Sequence, residues 1–328
     1  MQNTLSSSRK IFYGLSIFGL FFSKEIPVQD IPLSGIITNP KQEISGMDLY
    51  QDQVILLPEN LGGYLFMISK DEIYASLNSK SPAAIEPKQI PFLTPDYSKS
   101  IPGFEGLESI AFDENHFIIT LEAKSDGDMH GYVAWGTIDP KTFEAVVLEQ
   151  DLIELPMPTQ VKNMTYESAL IYKNDAILFY EANGKNIRKS AWQHQFSLKE
   201  KTTTKIAFPN IEYRITDVTK LDEQNRFWAI NYLWPGDKKR LTPSEDQIAI
   251  NYKKGKTHQQ SEAIERLVAF EIKNGEIHLA NLPPVQFELD EDGSRNWEGI
   301  VRLDKKGFLI ATDKFPGSFL SFVPYRLK

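Results

Sequence analysis

Five segments of the chain, 45–60, 108–123, 167–183, 217–232 and 298–314, share one pattern. Each has a polar residue at either end of two apolar stretches. The leading residues are Ser45, Glu108, Glu167, Asp217 and Glu298, and the trailing ones are Glu59, Glu122, Glu181, Asn231 and Asp313. The first four pairs are each fourteen residues apart; the fifth is fifteen apart, with one more residue in its turn. Most of the ten are acids. Carboxylates brought together can hold a hard cation or pass a proton to or from a reacting group.

The elements between them must do the gathering. An alternating or apolar strand follows each leading residue. A turn such as Asp113-Glu-Asn, Lys173-Asn-Asp or Asp304-Lys-Lys-Gly307 comes next, then a second apolar strand. Helical periodicity is absent. A strand rises about 3.3 Å per residue, so a hairpin of this length returns the chain to its starting level. Leading and trailing residues therefore share one end of the hairpin. Weaker strand patterns follow, as in 64–68, 132–135 and 267–272. A repeat of this size with about four strands is a blade of a β-propeller. The sequence predicts an all-β, five-bladed β-propeller over 24–328, with 235–262 inserted as a loop. The final blade has 319–323 as its third strand and lacks an outer one. Residues 32–37 are expected to supply it, closing the ring and removing the exposed edges. A two-sheet sandwich is the structural rival, but it leaves the fixed spacing unexplained. Within the insertion, Thr242-Pro-Ser-Glu245 matches a helix start.

In a propeller the innermost strands line a channel. Ser45, Glu108, Glu167, Asp217 and Glu298 then form one axial ring, and the trailing residues form a wider one. Crowded carboxylates repel in a low dielectric. Protonation or a bound cation relieves this, and an all-oxygen donor set suits Ca2+ above Mg2+. The alternative is that these side chains cap backbone N–H groups at strand ends. Arg214 and Arg295 each precede a ring member by three residues, and Lys314 follows one. With Lys185 they are candidates to bind an anion beside the cation, or they balance the acids. Glu122, Glu181 and Asp313 are the candidates to orient or deprotonate a water.

The order Ser-Glu-Glu-(Ser or Asp)-Glu, one per blade, resembles the calcium-activated apyrases, five-bladed propellers with a channel Ca2+ that hydrolyse nucleoside diphosphates. The matching stretches are Ser45-Gly-Met-Asp-Leu49, Glu167-Ser-Ala169 and Trp297-Glu-Gly-Ile300. Asp217 stands where that family has serine, and the second ring is more acidic than a nucleotide site suggests. Gly103-Phe-Glu-Gly-Leu-Glu-Ser-Ile-Ala111 and Asn296-Trp-Glu-Gly-Ile300 are also similar to bacterial phytase-like propellers. The resemblance implies a calcium-bound hydrolase of a phosphoester or related small anionic substrate. Two other readings stay open: a non-catalytic propeller that binds a ligand or protein around a structural calcium, and a lactonase.

Composition narrows the classes further. The 328 residues carry a net charge of −8, which argues against binding nucleic-acid polymers. With no cysteine, disulfides, thiolate metal sites and cysteine nucleophiles are excluded. The five histidines share no spacing with the rings, and no P-loop, dinucleotide or Gly-x-Ser-x-Gly motif is present. Arg9-Lys10 followed by the apolar run 11–22 reads as an export signal over 1–23, or as an anchor. An exported monomer is expected, with no membrane contact beyond such an anchor.

Overall fold

The computed structural model describes residues 24–290 and 293–326; the expected export signal over 1–23 lies outside them. The described residues are mostly strand. Five hairpins provide five inner strands: Ile44–Tyr50, Phe104–Asp113, Tyr166–Tyr172, Arg214–Val218 and Trp297–Leu303. Each packs beside the next and the fifth packs beside the first, so the sheets stand around a common axis in the manner of a propeller. We call the hairpins, with their outer strands, units one to five.

The sheets are less regular than the repeat. Units one and two fuse into a single eight-stranded sheet, because Phe92 and Leu93 pair in parallel with Ala145 and Val146. Unit three has four strands, and unit four gains the N-terminal strand Glu25–Ile26 beside Val285–Phe287. Unit five is completed by Gln29–Ile31 against Leu320–Pro324. The closing strand thus comes from the N-terminal segment but lies just before 32–37. Pro32 offers no N–H to a ladder, Gly35 has φ 79°, and Ile36–Thr38 form a 3-10 turn.

Five apolar clusters fill the spaces between neighbouring sheets. One, for example, joins units one and two through Ile55, Leu57, Leu107 and Phe117; another joins units four and five through Trp228, Phe287, Trp297 and Phe308. Strands buried on both faces explain why the hairpins read as near-continuous apolar runs rather than clean alternation. Each hairpin turn places one non-glycine residue in the left-handed region: Gln51, Glu114, Lys173, Asn225 and Asp304.

The insertion folds as short helices, Lys238–Leu241, Gln247–Tyr252 and Lys256–Gln260. The predicted start at 242–245 is displaced. Ser244 is drawn to Glu212, donating through N (3.1 Å) and Oγ (2.5 Å). Asp246 caps the helix instead, accepting from Ile248 and Ala249 N–H.

Candidate functional site

A β-bulge marks the leading position of each hairpin. Ser45 falls between the pairs Ile44–Pro58 and Gly46–Leu57, Glu108 between Leu107–Leu121 and Ser109–Thr120, Glu167 between Tyr166–Tyr180 and Ser168–Phe179, and Glu298 between Trp297–Thr312 and Gly299–Ala311. A bulge inserts one unpaired residue and re-aims its side chain, which here delivers it toward the axis. In four units the residue two places earlier meets the trailing residue. Glu59 N donates to Glu43 O (2.7 Å), Gly106 pairs with Glu122, Glu181 N donates to Thr165 O (3.0 Å), and Asp313 N donates to Asn296 O (3.1 Å).

Unit four departs by one residue. There Arg214 pairs with Tyr232, and the interruption between Ile215–Asn231 and Val218–Ala229 holds both Thr216 and Asp217. Across the units, Leu107 N donates to Glu59 O and Ile215 N to Glu181 O, which gives the same alignment. The repeat positions are therefore Thr216 and Tyr232, not Asp217 and Asn231. Asp217 accepts backbone N–H bonds from Val218 (2.8 Å) and Ile300 (2.7 Å), the capping role. Asn231 donates to Glu212 O and Arg214 O and accepts from Arg266 Nε (2.8 Å). Both tie strands together away from the ring. Equal spacing in sequence concealed the shift, because the turn of unit four is longer.

Glu108, Glu167 and Glu298 are brought together with Glu59, Glu122 and Glu181. Burial pushes the Glu108 and Glu298 carboxyls well above the usual range, aided by repulsion from Glu167 and Glu122 at the first and from Asp313 at the second. Burial likewise raises Glu167 to about 7, Glu122 to about 8 and Glu59 to about 9. Glu181 is wholly buried and also raised. One of its oxygens meets Arg214 Nε, and the carboxyl also hydrogen-bonds the Glu167 carboxyl. Thr165 donates to Glu122 (2.9 Å), and Asn296 donates to both Glu298 (2.5 Å) and Asp313 (2.9 Å). Ser45 is buried, its Oγ 3.5 Å from Leu57 O.

Three of the four basic candidates have carboxylate partners. Arg214 lies in the ring, paired with Glu181 and 3.6 Å from Glu298. Arg295 is held by Glu265 (2.7 Å) and Glu288 O (2.8 Å), between units four and five. Lys314 pairs with Glu43 (2.6 Å) on the rim. Lys185 is exposed near Glu212. At the opposite end of the axis Lys220 donates to Leu49 O (2.7 Å) and Phe112 O (2.9 Å) and lies 3.3 Å from Asp48. Sequence reading missed Thr216, Lys220 and, in the row Glu43, Gly106, Thr165, Arg214 and Asn296, every member but Arg214. The signal for that row was its constant place, two residues before each ring position.

The donor set fits a hard cation in kind, being oxygen throughout. As placed, no three His, Asp or Glu side chains among the described residues converge closely enough to hold one ion.

No family model matches the sequence, and no curated protein matches it. Among solved structures, a glycosyl hydrolase from Bacteroides ovatus aligns at TM-score 0.47 and 10% identity, over 94% of this chain and 97% of that one. A thermostable family-43 glycoside hydrolase aligns at TM-score 0.48 and 9% identity, over 92% and 93%. Glutaminyl cyclase from Myxococcus xanthus aligns at TM-score 0.42 and 7% identity, over 92% and 100%.

Proposed function

We propose that the chain is an exported, monomeric five-bladed β-propeller that binds Ca2+ among its axial acids and hydrolyses a phosphoester or related small anionic substrate there. The carrying observation is the charge imbalance of the site. Six carboxyl groups, Glu59, Glu108, Glu122, Glu167, Glu181 and Glu298, raise one another's proton affinity, with one guanidinium among them. A hard cation relieves that repulsion directly. The corrected register adds support. Ser45, Glu108, Glu167, Thr216 and Glu298 run hydroxyl, acid, acid, hydroxyl, acid, closer to the apyrase order than Asp217 made it.

When bound, the cation supplies Lewis-acid polarisation of the ester oxygen. The chain's own residues supply the rest. Arg214, Arg295 and Lys314 are already paired, so they leave the substrate's anionic group to the cation. Glu167 and Glu122 have proton affinities near neutrality, suited to holding or moving a proton at their carboxyl oxygens. Glu181, wholly buried and fixed by Arg214, positions Glu167 rather than touching substrate. Asp313 accepts from Asn296 and from Phe315 N (2.7 Å), which leaves it an orienting role at the rim.

Thermal unfolding with Ca2+ and with EDTA, beside Glu167→Gln, tests the site. A ligand of the native state adds RT ln(1 + [L]/Kd), about 2.7 kcal/mol at a hundredfold excess. We expect a Ca2+-dependent rise that the variant loses, and phosphate release that depends on Ca2+. No rise, with metal content near zero, sinks the proposal.

A second reading has its own observation. Arg214 already places a positive charge inside the ring, and protonated carboxyls would neutralise the rest. The ring is then a self-compensated polar plug, and the propeller a binding module.

A further inference from the structure

We infer that the non-reacting part of the substrate is apolar, carries no negative charge, and lies in a cleft between units one and two. This rests on the hydrolytic reading above. The cleft has a volume of about 700 Å3 and is walled by Leu61, Phe92, Leu93, Pro95 and Phe104. Leu93 is 49% exposed there, an apolar surface facing water inside a concave site. The charged side chains on the wall are Asp96 and Glu105, both acids, and no lysine or arginine lines it. Asp96 is paired with Lys99 at 2.6 Å, which leaves Glu105 as the uncompensated charge.

The cleft borders the acid ring through two of its lining residues. Asn60 on the wall follows Glu59, and Glu105 hydrogen-bonds the Glu122 carboxyl. Gly106, next to Glu105, allows Glu59 to lie across the seam, since a Cβ there would stand 2.4 Å from Glu59 Cγ. A substrate with its ester at the ring therefore projects its alcohol portion past Glu105 onto Leu61, Leu93 and Phe104. A neutral or cationic aryl or alkyl group suits that wall. A second phosphate would face Glu105 with no base to meet it, which disfavours nucleoside diphosphates and polyphosphorylated sugars.

Three probes of equal size, phenethylammonium, 2-phenylethanol and phenylacetate, separate charge from apolar contact. Each is titrated into the full chain with Ca2+ present and followed by ligand-observed NMR. Binding of phenethylammonium on the order of 10 mM or tighter is expected for so small a ligand, with phenylacetate about tenfold weaker. Glu105→Gln should abolish that ratio with the chain still unfolding cooperatively, and Leu93→Ser should weaken all three probes. Equal affinities, a ratio insensitive to Glu105→Gln, or no binding of any probe overturns the inference. Hydrolysis distinguishes its failure from that of the proposed function. If phytate or ADP is cleaved as fast as phenethyl phosphate, the cleft assignment falls and the hydrolase stands. If no ester is cleaved while the charge order holds, the hydrolase falls and the cleft stands.

Discussion

Replacing Arg214 with methionine isolates the electrostatics of the ring. The guanidinium is 8% exposed and pairs with a carboxylate, Glu181, that is 0% exposed. Removing one partner of a buried ion pair costs about 3–5 kcal/mol when the other stays charged. Glu181 has an escape, because burial and Glu167 already push its carboxyl upward. In the variant it takes up a proton, and the residual loss is that of a charged hydrogen bond, about 1.5–3 kcal/mol. The cost must therefore depend on pH. It should be about 2 kcal/mol near pH 5 and rise toward about 4 kcal/mol near pH 8, where keeping the proton opposes the solvent. Urea unfolding at both pH values measures it. The double variant Arg214→Met/Glu181→Gln removes the stranded acid and should recover about 1–2 kcal/mol at pH 8. A cost below about 1 kcal/mol at both pH values, or a double variant no better than the single one, would refute the picture of Arg214 as the ring's buried counter-ion.

Three further outcomes follow from the same geometry. The folded chain holds Glu59, Glu122 and Glu167 at about 9, 8 and 7, above the unfolded value of about 4.3. The folded state thus binds more protons, and its stability falls as pH rises from about 4.3 to about 9. Melting temperature in metal-free buffer should decline across that range, saturating Ca2+ should flatten the decline, and a flat metal-free profile would contradict it. Asp217→Asn should lower basal stability by about 1–3 kcal/mol, through its backbone bonds, yet leave the Ca2+-induced shift intact; loss of the shift would return Asp217 to the ring. Glu25 accepts from Thr257 N and Oγ1 and from His258 N and Nδ1. Glu25→Gln should therefore loosen 235–262, seen as faster limited proteolysis there, and unchanged cleavage would show the segment is held by other contacts.

Much of the architecture was legible in the sequence because it rests on local rules. Period-two patterns, short turns and a constant hairpin length placed the inner strands, and the need to cover an edge pointed to the N-terminal segment as closure. The exact closing strand was not legible, since residues 29–31 are polar and short while 32–37 look more like a strand. Proline chemistry at position 32 decides it. The acids of units one, two, three and five were likewise visible. Asp217 was misplaced because spacing counts residues, whereas position depends on where the bulge falls. The partners of Arg214, Arg295 and Lys314 were also hidden. Glu181, Glu265 and Glu43 come from other units or other strands, and one sequence does not show which unit faces which.

The contacts between units make the ring asymmetric. At three seams the residue two places before a ring position meets the trailing acid of the preceding unit. Gly106 meets Glu59 with no side chain to offer it; burial and the neighbouring Glu43 carboxyl drive Glu59 to about 9, against the pull of Lys314. Thr165 gives Glu122 one hydrogen bond, and Glu122 stands at about 8. Arg214 gives Glu181 a full counter-charge. The three seams thus differ in the partner offered: none from Gly106, a hydroxyl from Thr165 and a guanidinium from Arg214. The seam between units one and two, beside Gly106 and Glu105, is also where the apolar cleft lies. Under the proposed function, a ligand that enters along that wall passes Glu105 on its way to Glu122, so the acid and the apolar wall define one direction of approach.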